Sequence, residues 1–305
     1  MKKINICLCT YKRGEMLTFC LHSLAEIQKP TDTEVSLTII DNDSCRTAEV
    51  IVNKFKKIIP FSVYYHCESK RGIPCARNCA IEETHRLKSD YLVFIDDDEK
   101  VAPAWLEKLY TYCQSQGGDV IVSGGVTSEL PEETPEHIAG LFNKKQRPTG
   151  TRLTSCATDN VLIPVHVTRK LGLRFDETNP LAGGTDTIFF YQAVKAGAVI
   201  LKCAEAMVYE TVPPGRATLR WLSRRKYRAG ITVAWRKLQD GQRRLRIVVS
   251  SIFKILFDFM ACVVMVIAGC KLKRNLSWLK VCRSYGILSG VLGRTVDSYK
   301  KVDGH

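Results

Sequence analysis

The chain has 305 residues, 45% of them hydrophobic, with 13 cysteines and a net charge of +14. This length suits one large domain, or one domain with an appendage, and the composition allows a sizeable core. An odd cysteine count with no CxxC pair excludes a small secreted disulfide scaffold and disfavours a clustered zinc site; the thiols read as buried and reduced, in a cytosolic compartment. The charge is uneven. From residue 211 onward there are 20 Lys and Arg against 4 Asp and Glu, a surplus of +16, which leaves residues 1–210 at −2. A basic tail on a near-neutral body points to an anionic partner.

Strands and helices alternate through the first 125 residues. INICLCTY reads as a strand rather than a secretory signal and ends in the polar loop Lys12-Arg13-Gly14. MLTFCLHSLAEI carries apolar residues at helical spacing. VSLTIIDNDS is a strand ending in acids, AEVIVNKFKKI is helix-like and FSVYYHCES is a strand. Ile73 to Leu87 reads as a helix entered through Pro74, which suits a first turn. YLVFIDDD is a further strand, PAWLEKLYTYC a helix and DVIVSGGV a strand. Such alternation predicts an α/β fold, parallel strands with helices on both faces, and ligands at the strand carboxyl ends. Segment 127–160, with Pro131, Pro135 and Pro148, reads as a loop-rich connection, and order resumes at NVLIP and FFYQAVKAGAVIL.

The tail differs. IVVSSIFKILFDFMACVVMVIAG, residues 247–269, is long enough to span a bilayer as helix. Lys254 and Asp258 interrupt it at a spacing that lets them pair on one helix face. Basic residues flank it on both sides: Arg243, Arg244 and Arg246 before, Lys271, Lys273 and Arg274 after. Symmetric basic flanks predict a helix lying in the membrane interface, or a hairpin whose returning leg is Leu276 to Leu292, over a single span.

Five constellations carry potential chemistry. Asp96, Asp97 and Asp98 follow an apolar strand; in extended geometry Asp96 and Asp98 share one side, a hard-oxygen pair suited to Mg²⁺ or Mn²⁺ with phosphate oxygens completing the shell. Asp97 would then face sugar hydroxyls. The plain alternative is a solvated acidic turn. Asp41 ends the strand LTII and suits a nucleobase N–H or a ribose hydroxyl, or else serves as a turn aspartate. In SKRGIPCARNC, Arg71 precedes a helix and Arg77 lies in its first turns, where an anion or a carbonyl-rich base is favoured, the alternative being a surface helix. In LAGGTDTIFF, Gly183 and Gly184 allow close backbone approach, and Asp186 at a helix entry is a candidate general base or an ordinary capping residue. Finally, PPGRATLRWLSRRKYRAG places Arg220 and Arg224 one turn apart beside Trp221, a face for a diphosphate with a ring for a sugar or a lipid interface, or a solvated basic helix.

In this order, ICLCTYKR, IIDNDS, RGIPCARNCAI, FIDDDEKVAPAWL, TDNVLIP, GGTDTIFF and VPPGRATLRWLSRRKYRAG resemble the inverting family-2 glycosyltransferases of the GT-A fold. Within them the match looks closest to bacterial exopolysaccharide enzymes of the succinoglycan-biosynthesis type. The resemblance implies a nucleotide-binding αβα sandwich with a mostly parallel central sheet over residues 1–230, followed by a helical membrane-associating tail over 231–305. It implies transfer of one sugar from a nucleotide-sugar donor, UDP-linked, in surface polysaccharide synthesis, with Mg²⁺ or Mn²⁺; the basic tail and the apolar segment point to a lipid-linked saccharide as acceptor. The expected location is the cytoplasmic face of the bacterial inner membrane, peripheral or hairpin-anchored, against an anionic membrane surface, with no nucleic acid partner.

By the same resemblance Thr10, Tyr11, Asp41, Arg71 and Arg77 would bind the donor, Asp97 its ribose, and Asp96 with Asp98 the metal-diphosphate. Asp186 would be the catalytic base, while Gly183, Gly184, Arg220 and Trp221 would serve acceptor or diphosphate. Two departures stand out. Thr185 occupies a position where the family usually has Glu, and Ala217 stands where processive relatives have Gln before Arg-Trp, which favours single-sugar transfer. A sugar-nucleotide nucleotidyltransferase would want a Gly-rich opening loop, and CTYKRGEM has only Gly14. A catalytically inactive membrane scaffold of the same fold is the other alternative. A basic adaptor for nucleic acid or membrane would not need acids at strand ends.

Overall fold

The computed structural model describes residues 1–143, 146–181 and 183–294. In chain order the elements are β1 (Lys2–Thr10), α1 (Gly14–Ala25), β2 (Thr33–Asp41), α2 (Glu49–Phe55), β3 (Ser62–Cys67), α3 (Ile73–Arg86), β4 (Tyr91–Asp96) and β5 (Glu99–Val101). There follow α4 (Trp105–Ser115), β6 (Ile121–Glu129), α5 (Glu136–Phe142), β7 (Arg152–Leu153), β8 (Asn160–Pro164), α6 (Val165–Lys170), α7 (Thr185–Lys195) and β9 (Ile200–Thr211). Three long helices close the described chain: α8 (Leu219–Gln239), α9 (Arg244–Ile267) and α10 (Lys271–Val291).

The strands form one sheet in the order β3-β2-β1-β4-β8-β6-β9-β5, with β7 added against β9. β3, β2, β1 and β4 run parallel, as the alternating pattern predicts. β8 is antiparallel to both β4 and β6 and reverses the sheet at its centre. Alternation along the strands builds two cores. Ile4, Ile6 and Leu8 of β1, with Val93 and Ile95 of β4, meet Leu17, Leu21 and Trp105 of α1 and α4. Cys7, Leu92 and Phe94 face the other way, onto Ala76, Ala80, Phe189 and Phe190 of α3 and α7. The period of two in the sequence is thus spent on two buried faces, which is why these strands read as continuous apolar runs.

The acidic stretch departs from its expected geometry. β4 stops at Asp96, Asp97 and Asp98 form a turn, and β5 returns to pair with β9. The Asp96 amide donates to the Glu99 carboxylate at 3.0 Å, closing the turn. Segment 127–160 is also less open than expected, since β6 runs to Glu129 and α5 and β7 lie within it.

The tail folds as two helices packed on each other, and α10, expected as a returning membrane leg, lies against the body. α9 is apolar and largely exposed, while α10 packs on α8, α9 and α5. Glycines set the α8–α10 spacing. A Cβ on Gly230 would lie 2.1 Å from the Arg283 carbonyl oxygen, and one on Gly286 would lie 1.9 Å from that of Tyr227. Asn275 of α10, fully buried, donates to the His137 carbonyl of α5 at 3.3 Å. The anticipated Lys254–Asp258 pair is not formed: Lys254 is exposed, and no ion pair joins the two among the described residues.

Candidate active site

A cavity of about 240 Å³ opens beyond the carboxyl ends of β1, β2 and β4, where parallel strands leave backbone groups and short loops facing a common crevice. Its walls include Thr10 and Tyr11 after β1, Asn42 after β2, Arg71 and Arg77 around the start of α3, and all three turn aspartates. Leu181, from the loop before α7, and Trp221, Arg225 and Arg228 of α8 complete the opposite wall.

The acidic turn is held by cations from three directions. Asp97 is buried, accepts from the Thr10 hydroxyl at 2.7 Å, and meets an Arg13 guanidinium nitrogen at 3.0 Å. The same Arg13 nitrogen lies 3.4 Å from Asp98, which also accepts from Arg216 at 3.1 Å. Asp96 stands 3.5 Å from Arg77, with 44% of its side chain exposed toward the cavity. Partial loss of solvent raises the Asp96 carboxyl above the usual carboxylate range; Arg77 opposes the rise, while Asp98 and Asp186 add to it. Burial does the same to Asp97, against Arg13. For Arg13, burial favours loss of its charge, but Asp97 and Asp98 outweigh it and keep the guanidinium firmly protonated.

The remaining sequence candidates are dispersed around this centre. Arg71 stacks over Tyr11 at 4.8 Å, and Gly72 beside it has φ +146°, where a Cβ would fall 2.4 Å from Pro180. Asp41 lies behind the wall. Fully buried, it accepts from the Asp43 amide at 3.0 Å, the Ala48 amide at 2.9 Å and the Tyr65 hydroxyl at 2.9 Å, and it shapes the loop that presents Asn42. Gly183 and Gly184 precede α7; Gly184 has φ +91° and gives α7 its entry, with Asp186 in the first turn. Asp186 accepts from the Thr187 amide at 2.7 Å and is near enough to Asp96 to bear on its charge. Trp221 is flanked by Arg216 at 5.8 Å and Arg225 at 5.2 Å. Arg220 and Arg224 are exposed and lie outside the cavity lining; the α8 cations in it are Arg225 and Arg228.

Sequence reasoning did not single out Arg13, Arg216, Arg225, Arg228, Asn42 or Asp159. Arg13 sits in the quoted KRG loop and the other arginines in the quoted basic stretch, so the segments were visible while the facing side was not. Asp159, half-buried beside the turn, is pushed up to about 7 by burial, with Asp96, Asp186 and Glu210 adding to it and Lys202 opposing. Among the described residues no group of three or more His, Cys, Asp or Glu side chains forms a self-contained metal cage. Asp96 and Asp98 do offer two hard carboxylates at a cavity with room for phosphate oxygens, a donor set that fits Mg²⁺ or Mn²⁺ bound jointly with a substrate.

Residues 5–171 match the model of glycosyl transferase family 2. The chain is 30% identical over 301 residues to the succinoglycan biosynthesis protein ExoM of Rhizobium meliloti (strain 1021), covering 97% of this chain and 95% of that protein. It is 30% identical over 125 residues to the poly(ribitol-phosphate) beta-N-acetylglucosaminyltransferase TarP of Staphylococcus aureus (strain N315), covering 40% of this chain and 36% of that protein. Among solved structures, S. aureus TarS 1-349 in complex with UDP superposes with a TM-score of 0.54 at 14% identity, over 93% of this chain and 91% of that one. GalNAc-T7 with UDP, GalNAc and Mn²⁺ superposes with a TM-score of 0.55 at 14% identity, over 80% of this chain and 52% of that one. The structural likenesses give the fold, GT-A, and the near-full-length sequence relative agrees with the family match. The chain belongs to glycosyl transferase family 2.

Proposed function

We propose that this glycosyltransferase moves one sugar, with inversion, from a UDP-linked donor to a hydroxyl of a lipid-linked saccharide at the cytoplasmic face of the bacterial inner membrane. What carries the reading is one shared cavity that joins an acidic turn to the arginines of α8, with Asp186 close by. UDP is a ligand of TarS in its solved complex, which supports a UDP donor here.

Tyr11, Arg71 and Asn42 line the cavity where the nucleoside would lie, and Asp97 would meet the ribose only by exchanging its present partners Thr10 and Arg13. Asp96 and Asp98 would hold Mg²⁺ or Mn²⁺, which supplies charge neutralisation for the departing diphosphate. Arg216, Arg225 and Arg228 add fixed positive charge where that negative charge grows, and fixed groups need no reorganisation as the bond breaks. Asp186 takes the proton of the acceptor hydroxyl as its oxygen attacks the anomeric carbon from the face opposite the diphosphate. The glycosidic bond forms as the bond to the diphosphate breaks, and the leaving group keeps the electron pair without protonation.

A catalytic body and a membrane-associating tail remain the proposed division, with the boundary moved: 230/231 falls inside α8 (Leu219–Gln239), whose first half lines the cavity, so the tail begins at α9. Residues 295–305 lie outside the described residues. α9 is about 36 Å long at the usual rise, and Phe253 and Phe257 are 69% and 75% exposed. Both of its ends lead into helices packed on the body. A span would draw the Lys271, Lys273 and Arg274 end of α10 into the bilayer, so α9 lying in the interface is the arrangement these contacts support.

The test is a screen of UDP- and other nucleotide-sugars for nucleoside diphosphate release with lipid-linked acceptors. Asp186→Asn should bind UDP normally and stop turnover. Unchanged turnover in that variant removes Asp186 from the reaction.

A further inference from the structure

α8 presents two working faces. Trp221, Arg225 and Arg228 lie in the cavity wall, and Thr232 continues the same stripe at spacings of four, three and four residues. Thr232 is buried and sits directly on the loop that opens α7. A Cβ on Gly184 would lie 2.4 Å from its hydroxyl and 2.7 Å from its methyl, and the hydroxyl donates to the Gly183 carbonyl at 3.3 Å, shared with the Arg228 carbonyl at 3.4 Å. Two residues later stands Asp186. On another face of α8, Tyr227, Gly230, Ile231 and Ala234 meet α10 at glycine-closed distances. The helix that carries diphosphate-side cations therefore also holds the entry of α7 in place, and α10 backs it from behind.

We propose that Thr232 is a positioning residue for the transfer reaction. It touches no reacting atom. By clamping Gly183 and Gly184 it sets where the first turn of α7 begins, and through α8 it fixes Asp186 relative to Arg225 and Arg228. The base must meet the acceptor hydroxyl on the side of the anomeric carbon opposite the diphosphate, so the separation between base and diphosphate-side cations is the dimension that in-line attack requires. This rests on the reading of Asp186 as base, and its test is built to fail separately from that reading.

The experiment uses the full chain with Thr232→Val, which keeps the shape and loses the hydroxyl, and Thr232→Ser, which keeps the hydroxyl. Amide exchange is followed in the peptide covering Thr185–Phe190, where the Ile188 amide donates to the Gly184 carbonyl at 3.2 Å. Thr232→Val should exchange there about tenfold faster, the rest of the chain being unchanged, and Thr232→Ser should remain close to wild type. UDP affinity in the presence of Mn²⁺ should stay within about twofold. With the donor found by the screen, Thr232→Val should lose about tenfold in kcat with donor KM unchanged, and Thr232→Ser should restore most of it. Wild-type exchange at Thr185–Phe190 in Thr232→Val overturns the clamp, as does an equal loss in Thr232→Ser. If Thr232→Val loosens this peptide while Asp186→Asn still turns over, the base assignment falls and the clamp stands.

Discussion

Replacing Asp159 with Asn should make the protein more stable at pH 8 and leave it unchanged near pH 4. Asp159 precedes β8 among carboxylates: Asp96, Asp186 and Glu210 all act to keep it protonated, in addition to its burial. Its carboxyl is pushed from 3.8 to about 7. Below the unfolded value of about 4 the group is protonated in both states and makes no difference. Between about 4 and 7 the native state keeps a proton that the unfolded chain releases, so stability falls as pH rises through that window and is level above it. Such a rise in pKa corresponds to about 4 kcal/mol, and residual solvent contact brings the expected gain in Asp159→Asn to about 2–3 kcal/mol at pH 8. Denaturant unfolding at pH 4.5, 6, 7 and 8 measures it. The reporter is built in, because Trp105, fully buried, donates its indole N–H to neighbouring Asn160 at 2.8 Å. Wild type should lose stability across the series, since Asp96, Asp97 and Glu99 are raised as well. Asp159→Asn should lose distinctly less. Parallel pH profiles for the two proteins would refute the reasoning.

Three further outcomes are expected. Asp98→Ala should reduce metal-dependent nucleoside diphosphate release by more than about a hundredfold, on the scale of losing a transition-state charge contact, and unchanged turnover removes Asp98 from the metal-diphosphate. Gly286→Ala forces a Cβ against the Tyr227 carbonyl and should cost about 2–3 kcal/mol, seen as a thermal midpoint lower by roughly 5–10 °C; an unshifted midpoint shows that α8 and α10 part freely. Wild type should bind vesicles containing phosphatidylglycerol more tightly than neutral ones and release them with salt. The double change Phe253→Ser and Phe257→Ser should weaken that binding by at least about a hundredfold, two exposed rings being worth about 1.5–3 kcal/mol each; unaltered binding places the contact elsewhere.

Much of the fold was legible because its signals are local. Strand and helix alternation, the Pro74 entry into α3 and the apolar α9 all follow from periodicity within a dozen residues. The reversed strand β8 was not, because NVLIP is as apolar as a parallel neighbour and its direction shows only in its pairing with β4 and β6, distant in sequence. The Asp turn showed its position but not its geometry, since Glu99 and the β5–β9 pairing bend it. On α8 the arginines were visible, but which strip faces the cavity depends on the glycine-closed seam with α10, sixty residues away in sequence. Arg220 and Arg224 satisfy a helical spacing as well as Arg225 and Arg228 do. Asp41 ends its strand as foreseen, yet three donors from its own surroundings occupy its oxygens.

The acidic turn brings its own counterions. Arg13 bridges Asp97 and Asp98, and Arg216 reaches Asp98 from the loop between β9 and α8. The charges of Asp97 and Asp98 are therefore compensated from within the chain. The same pairing makes the turn a competitive site. A cation arriving with a substrate, as proposed above, would meet carboxylates already engaged and would gain most by bringing anionic oxygens for the displaced guanidinium. On the proposed reading ion and diphosphate would load together, and departure of the diphosphate would leave Arg13 and Arg216 to re-form their pairs with Asp97 and Asp98.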